Sequence, residues 1–463
     1  MTDFLLGSGR ASAQAPGWRL RQSAAWALSG SAMVLMLLMP ALLNGFPLIF
    51  PDTSGYLDRP IFGTLGMGRS ALYGAFLYLG GPSSFWLNVI LQSALMVWLI
   101  VLTLRAHGLG GRPWLALGIL ALLTVTTSMP WFAAQLMPDI LFAAAALALH
   151  LLTFRDEALT RWERWALAAV IVVAIPSHMA AAGMCAGIIL ALALLRRIKR
   201  LALPPTRLTF AAGAVAAGIA LCPLSNYAIT GNFALTPGGS TFLFGRLVQD
   251  GIVKRYLDDK CPDPSIQLCA FTENFPTDAD WWLWDGNSPF RKLKDFEGSA
   301  EEKRIIRETL MLYPLLHLKA ALAATALQLV KFKTEVSFEN NEPTIAMFKE
   351  HVPALYPRFM AARQQAAPFD VAAALNLVHL PVAALAIACL GAALVLRRRL
   401  GLPDAFTGLA VTILLALAAN AAICGVFSHA VDRYQSRLVF LVVLATAMMA
   451  AWLAIHRRRP AAN

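Results

Sequence analysis

The residues best suited to chemistry in this sequence are a few charged side chains that stand next to apolar segments. Asp52 lies in the stretch FPDTSGY (50–56), directly after the first long apolar run. The low dielectric at a bilayer edge raises the proton affinity of a carboxylate, so Asp52 could act as a general base toward a hydroxyl group. A capped turn is the alternative, and the local sequence alone favours it, because Asp, Ser and Gly after Pro suit a loop.

Two further candidates stand at the starts of apolar segments. Asp139 follows Pro138, and His178 follows Pro176 and Ser177. Proline and an acidic residue suit the first turn of a helix, where the positive end of the helix dipole lies, so helix initiation is the simpler interpretation. As functional residues, Asp139 would be a second carboxylate, and His178 would transfer a proton or contact a phosphate.

Two arginines at the head of the last apolar segment could hold an anion. Arg433 and Arg437 are four residues apart, which places them on one face of a helix, and Tyr434 is adjacent. Guanidinium groups bind phosphate through paired hydrogen bonds, whereas Tyr and Arg also anchor helices at a membrane surface. Both interpretations stay open. The secondary candidates are Tyr434 and three charged residues that follow Asp52: Asp58, Arg59 and Arg69.

Other familiar sites lack support in the sequence. No CxxC, HExxH, Walker or GxGxxG pattern is present, so neither a metal nor a nucleotide site is indicated, and a divalent cation stays an open question. Cys261 and Cys269, eight residues apart, are predicted to form a disulfide if their loop faces an oxidising compartment; two free thiols are the alternative. Arg246 and Lys254 are weaker phosphate candidates, for which a solvated loop charge is the simpler interpretation.

The elements that must position these residues are membrane helices. The 463-residue chain is 58% hydrophobic and only 14% charged, whereas a soluble domain carries about 25% charged residues. Its net charge of +12 does not indicate nucleic-acid binding, because the basic residues form short clusters beside apolar segments. Such clusters orient helices and attract anionic lipids.

The basic clusters predict the topology of an all-α bundle. If they all face the cytoplasm, the positive-inside rule gives about ten spans with both termini inside. The predicted spans are 24–49, 84–104, 113–129, 138–154, 165–177, 179–195, 208–228, 371–396, 405–427 and 437–455. The stretch 165–195 is divided in two at Pro176, and 313–330, which contains His317 and Lys319, is predicted to be an amphipathic helix on the outer surface.

Acidic residues divide the chain into three regions. The segment 229–370 holds 18 of the 27 acidic residues, against seven in 1–228 and two in 371–463. Because acidic side chains are costly in hydrocarbon, 229–370 is predicted to be a large extracytoplasmic insertion between two transmembrane regions. The candidate residues then gather at the outer face. His379, inside a predicted span, is the exception, and a neutral core histidine is its simpler interpretation.

This layout resembles the GT-C superfamily of polytopic glycosyltransferases, which use sugars carried on polyprenyl phosphate. The matching features are Asp52 in FPDTSGY, the Pro-Asp pair in MPDIL (137–141), the late outer insertion, and DRYQSR (432–437) at the last span. Members commonly carry a paired acidic motif in the first loop. Here Thr53 follows Asp52, which leaves Asp58 or Asp139 as substitutes and the metal requirement undecided.

The resemblance implies an inverting sugar transfer at the outer face of a bacterial inner membrane. Asp52 would deprotonate the acceptor hydroxyl of a lipid or glycan. Arg433, Arg437 and His178 would stabilise the departing polyprenyl phosphate. The alternatives are an oligosaccharide ligase or polymerase, and a transporter or flippase of a lipid-linked saccharide, although no internal repeat indicates a transporter.

Overall fold

The computed structural model describes residues 16–62, 67–198, 203–204, 206–231, 233–335, 341–366 and 371–456. The side chains of 16–20, 58–61 and 366 are not part of that description. Within these ranges the protein is all-α, and extended backbone pairs only in one isolated bridge between Leu48 and Gln135. The basic residues at 10, 199–200 and 457–459 lie outside the described residues.

The first half of the chain forms ten helices within the described ranges. They are α1 (Pro16–Asn44), α2 (Pro51–Phe62), α3 (Ala71–Gly80), α4 (Trp86–Leu104), α5 (Pro113–Thr126), α6 (Met129–Ala133), α7 (Ile140–Phe154), α8 (Arg161–Ser177), α9 (Ala180–Leu195) and α10 (Leu208–Thr230). A π-helical turn, Arg105–Leu109, extends α4. The chain between α8 and α9 turns at His178, where the sequence predicted a hinge, because Pro176 cannot donate a helical hydrogen bond.

The remaining helices are shorter in the middle of the chain and long at its end. They are α11 (Gly239–Gln249), α12 (Ile252–Lys260), α13 (Ala279–Trp284), α14 (Pro289–Lys292), α15 (Ala300–Leu312), α16 (Pro314–Val330), α17 (Glu342–His351), α18 (Tyr356–Met360), α19 (Arg363–Ala366), α20 (Ala372–Leu400), α21 (Asp404–Phe427) and α22 (Asp432–His456). Residues 244–305 pack around a core of their own that includes Phe244, Trp282 and Phe296.

Six helices in the described ranges are long and apolar enough to cross a membrane. They are Arg21–Asn44, Trp86–Leu109, Leu208–Ile229, Ala372–Leu400, Asp404–Phe427 and Asp432–His456. The other four predicted spans also coincide with helices, but α5, α7, α8 and α9 have at most 17 residues, fewer than the roughly 20 that a straight crossing needs. The length and apolar composition of these six helices are those of an integral membrane protein. The count of ten spans stays a prediction.

The segment 313–330, which was predicted to be an amphipathic helix on the outer surface, contains α16, and α16 packs closely against α21. Its axis is bent by 99° from that of α15, and the two helices together are long and apolar enough to form one bent span, so the surface position stays a prediction. Gly425 of α21 lies so near α16 that an added Cβ would stand 2.8 Å from the carbonyl oxygen of Ala324. The glycine thus permits the two backbones to touch, while leucines on the far side of α16, such as Leu315 and Leu322, stay exposed.

Arginines from three of the predicted basic clusters meet at one end of the bundle. Arg105 Nη2 lies 2.6 Å from Glu163 Oε2, and Arg207 Nη1 lies 2.6 Å from Asp156 Oδ2. Arg164 also contacts Asp156, at 2.9 Å. Because these residues come from four separate stretches of chain, their meeting fixes which ends of α4, α7, α8 and α10 lie together.

Candidate active site

At the other end of the bundle, five charged residues meet in one ion-pair network. Asp52 Oδ1 accepts a hydrogen bond from Arg69 Nη2 at 2.6 Å, and Asp52 Oδ2 accepts from Arg433 Nη1 at 3.2 Å. Asp139 Oδ1 lies 2.9 Å from Arg437 Nη1 and 4.0 Å from Arg433 Nε. Arg433 therefore joins the two carboxylates, which are 87 residues apart in the sequence.

Asp52 is the carboxylate of the network that reaches the surface. It lies in the first turn of α2, where the helix dipole favours a negative charge. Its side chain is 24% exposed. Two guanidinium groups hold it, and Arg433 stacks over the ring of Phe50 with its Cζ 4.2 Å from the ring centroid. The carboxylate is thus fixed in direction and still accessible from outside the protein.

Asp139 and Arg437 form the enclosed part of the network, since both side chains are fully buried. Arg437 Nη2 also donates to Asn420 Oδ1 at 2.9 Å, and its guanidinium lies 3.4 Å from the centroid of the Phe142 ring. Among the described residues, Asp139 Oδ2 and Arg437 Nε have no hydrogen-bond partner. A ligand could reach Arg437 only if the guanidinium left Asp139, whereas Arg433 and Arg69 pair with the carboxylate that reaches the surface.

His178 and Tyr434 lie beside the network. The His178 ring meets Phe142 edge-on, with centroids 5.0 Å apart, and it is close enough to interact electrostatically with Asp139. The Tyr434 ring centroid lies 5.4 Å from Arg433 Cζ and 5.1 Å from Arg437 Cζ. His178 therefore lies beside Asp139, and Tyr434 lies beside the two arginines of α22.

Tyr56, in the same helix as Asp52, adds a neutral group to the network. It is buried and packs edge-on against Tyr73, with ring centroids 5.2 Å apart. Burial raises the pKa of Tyr56 above its ordinary value, although the nearby Arg69 opposes the shift. Its phenol consequently keeps its proton at neutral pH and can donate a hydrogen bond.

The loop that carries Asp52 is held against the segment that carries Asp139. Leu48 N donates to Ala134 O at 3.0 Å, and Leu136 N donates to Leu48 O at 2.9 Å. The Thr53 hydroxyl, fully buried, donates to Leu136 O at 3.2 Å and accepts from Phe50 N. Thr53, which occupies the position of the expected second acid, therefore stabilises the loop.

A distant segment, 341–366, covers the same loop and was not predicted to do so. Gln364 is buried, and its Oε1 accepts from Asn44 Nδ2 at 2.9 Å and from Ile49 N at 3.1 Å. Phe46 of the loop packs edge-on against Phe348 and Phe359 of the segment. Part of the predicted insertion thus belongs to the site and not to the separate core around Trp282.

Two amides inside apolar helices also support the network and escaped the sequence analysis. Asn420 Nδ2 donates to Tyr434 O at 2.6 Å and to Gln435 Oε1 at 2.9 Å, while its Oδ1 accepts from Arg437. Gln435 Nε2 donates to Leu417 O. The available signal was the presence of a polar amide within an otherwise apolar span, which is costly unless the amide is paired.

The other candidates lie elsewhere or outside the description. The side chains of Asp58 and Arg59 fall outside the described residues, although α2 includes both positions. Arg246 pairs with Asp250, and Lys254 contacts Asp258, each within its own helical segment of the insertion.

The remaining features are the cysteine pair, the aromatic cluster WWLW (281–284), His379 and the open question of a metal. Cys261 and Cys269 are joined by a disulfide. Trp282, within the cluster WWLW, is buried in the core of the insertion beside Phe244. His379 is buried, and its Nδ1 lies 2.7 Å from Thr334 Oγ1. Among the residues that the structure describes, no group of three or more His, Cys, Asp or Glu side chains could hold a metal ion.

The network combines guanidinium groups, which can bind an anion, with carboxylates, which can accept a proton. Within the network, three guanidinium groups face two carboxylates, and Glu335 also lies close enough to interact with Arg433. The guanidinium groups are the donors that could bind an anionic ligand. The accessible member, Asp52, could receive a proton once a ligand draws the arginines away. Comparison of the chain with protein-family models, curated proteins and solved structures finds no match.

Proposed function

We propose that the protein is an integral membrane glycosyltransferase that moves a sugar from a polyprenyl-phosphate donor to an acceptor hydroxyl. The observation that carries the proposal is the meeting of Asp52, Asp139, Arg433 and Arg437 in one network at one end of the helix bundle. A lipid-linked donor has to be met at the membrane surface, and its phosphate needs fixed positive charge as it leaves. The network supplies the positive charge, and its position at one end of the bundle supports a site at the membrane surface.

In the proposed reaction, the acceptor oxygen attacks the anomeric carbon of the donor sugar. The bond between that carbon and the phosphate oxygen breaks, and its electron pair goes to polyprenyl phosphate. Asp52 takes the proton of the acceptor hydroxyl. Arg433 and Arg69 stabilise the leaving phosphate, because they are the guanidinium groups on the accessible carboxylate. Asp139 and Arg437 hold Arg433 in place.

The same proposal includes the orientation in the membrane. The network would lie at the outer face of a bacterial plasma membrane, with ten spans, both termini in the cytoplasm, and 229–370 as the outer insertion. The ion-paired arginines at the opposite end of the bundle support this, since basic residues concentrate on the cytoplasmic side. Cysteine labelling tests it: positions 52 and 319 should react from outside, and 398 should not.

One observation favours a second candidate, a transporter of lipid-linked saccharides. The buried Asp139–Arg437 pair lies among apolar helices, and buried charges of this kind also mark substrate paths in transporters. The two candidates differ in what the purified protein does in detergent, where only an enzyme can give a product.

The test incubates purified protein with a polyprenyl-phosphate sugar and an acceptor extract, and follows polyprenyl phosphate release by mass spectrometry. We expect release by the wild type and a loss of about 100-fold in Arg433→Gln, the size typical for a removed transition-state contact. The matched control is Lys254→Gln, a cation of the insertion that lies outside the network. Donor movement across proteoliposomes without release in detergent would favour the transporter and overturn the enzyme.

A further inference from the structure

A groove with a volume of about 520 Å³ runs between the chain that follows α16 and the middle of α20. Its walls are mainly apolar, and two lysines and one aspartate stand at its edge. The lining residues are Val330, Lys331, Phe332, Lys333, Leu380, Pro381, Ala384 and Asp432. No part of the ion-pair network forms its walls, so it is a separate feature of the surface.

The groove opens toward the surface that faces lipid. On α20, which is the least buried of the candidate spans, Leu377 is 79% exposed and Leu385 is 65% exposed. On α16, Leu322 and Val330 are also exposed. Large apolar side chains on both sides of an open groove fit contact with hydrocarbon and not with water.

The polar end of the groove lies at the start of α22. Lys331 Nζ donates to Ala430 O at 2.9 Å, and Lys333 N donates to Asp432 Oδ1 at 2.7 Å. Asp432 is the first residue of α22, and the next residue is Arg433. An ammonium group carries three donors, so Lys331 keeps two for a ligand. The positive end of the α22 dipole adds to the attraction for an anion.

We propose that this groove binds the hydrocarbon chain of the polyprenyl-phosphate donor, with the phosphate beside Lys331 and Lys333. The proposal rests on the proposed function, because it commits to the donor lipid as the occupant. A groove of this size suits one chain segment, and the lysines complement a phosphate. An ordinary two-chain anionic phospholipid is the competing occupant, and the test separates the two.

The test measures lipid binding and not turnover. Native mass spectrometry of the purified protein, titrated with polyprenyl phosphate, gives the affinity of wild type, Ala384→Trp and Leu385→Trp. Both positions are exposed on α20, but only residue 384 lines the groove. We expect about a tenfold loss of affinity in Ala384→Trp, because the indole displaces several methylene contacts, and none in Leu385→Trp.

A second variant keeps the proposal falsifiable if the tryptophan disturbs packing. Lys331→Gln with Lys333→Gln should also weaken binding of polyprenyl phosphate by about tenfold, as expected for lost charge-assisted contacts. Unchanged affinity in both variants, or equal loss in Leu385→Trp, would overturn the groove. Displacement of polyprenyl phosphate by an equal concentration of phosphatidylglycerol would overturn the donor as its occupant. Failure of the proposed function appears differently, as wild-type protein that binds the lipid and releases no product.

Discussion

Replacing Asp139 by Asn should destabilise the folded protein by about 3–5 kcal/mol, because the substitution leaves a buried guanidinium without its counter-ion. Both side chains of the pair are fully buried, and Arg437 Nη1 lies 2.9 Å from Asp139 Oδ1. In the variant, the charge of Arg437 would face the Asn420 amide, the Phe142 ring and the like charge of Arg433. None of these compensates a full positive charge.

A double-mutant cycle measures this effect. The variants are Asp139→Asn, Arg437→Met and the double substitution, each unfolded with SDS in mixed micelles and followed by tryptophan fluorescence. The double variant should be about 2 kcal/mol more stable than the sum of the single effects predicts, because it leaves no unpaired charge. The amide of Asn and the thioether of Met are close in volume to the groups they replace, so packing changes stay small.

The control is an exposed pair of the insertion. Asp258→Asn breaks the contact with Lys254, in which both side chains are at least 40% exposed, and should change stability by less than about 0.5 kcal/mol. Strict additivity of the two single substitutions at Asp139 and Arg437 would refute the reasoning, since it would mean that the two charges do not interact in the folded protein.

Two other predictions concern the parts around the network. Gln364→Leu should speed amide hydrogen exchange in 44–57 by about tenfold or more, because the lost acceptor leaves buried donors unpaired; Gln365→Leu is the control, since no partner for its Oε1 occurs among the described residues. The hydrogen bond from His429 lowers the pKa of Asp280 below its ordinary 3.8. The stabilisation that this hydrogen bond gives the folded protein should therefore be complete above about pH 4, and it should be lost as the pH falls through the lower folded-state pKa. The melting temperature of Asp280→Asn should lack this decrease at acidic pH.

The sequence was most informative about charged residues at the ends of apolar segments. The carboxylate and arginines at the ends of apolar runs could be assigned to one face, because a bilayer separates cationic clusters from the few remaining charged groups. That reasoning placed Asp52, Asp139, Arg433 and Arg437 at the same end of the bundle, where the structure has them. It also located a helix at every predicted span.

Pairing within the site could not be predicted, because it depends on how the helices pack. Nothing in the local sequence shows that Arg69 and Arg433 both pair with Asp52, or that the Arg437 side chain is fully buried. The contact of Gln364 with Asn44 spans 320 residues, and it forms because the phenylalanines around it pack together. Periodicity and charge describe single helices, whereas such contacts arise only between them.

The most direct test of the central claim is the single-turnover rate of sugar transfer by Asp52→Asn. Asparagine keeps the shape of the side chain but cannot take up the proton, so we expect the rate to fall by about 100-fold or more. The variant should still bind polyprenyl phosphate and keep its membrane insertion, which native mass spectrometry and cysteine labelling would report. Asp258→Asn should transfer sugar at the wild-type rate. Undiminished turnover in folded Asp52→Asn would show that this carboxylate is not the base.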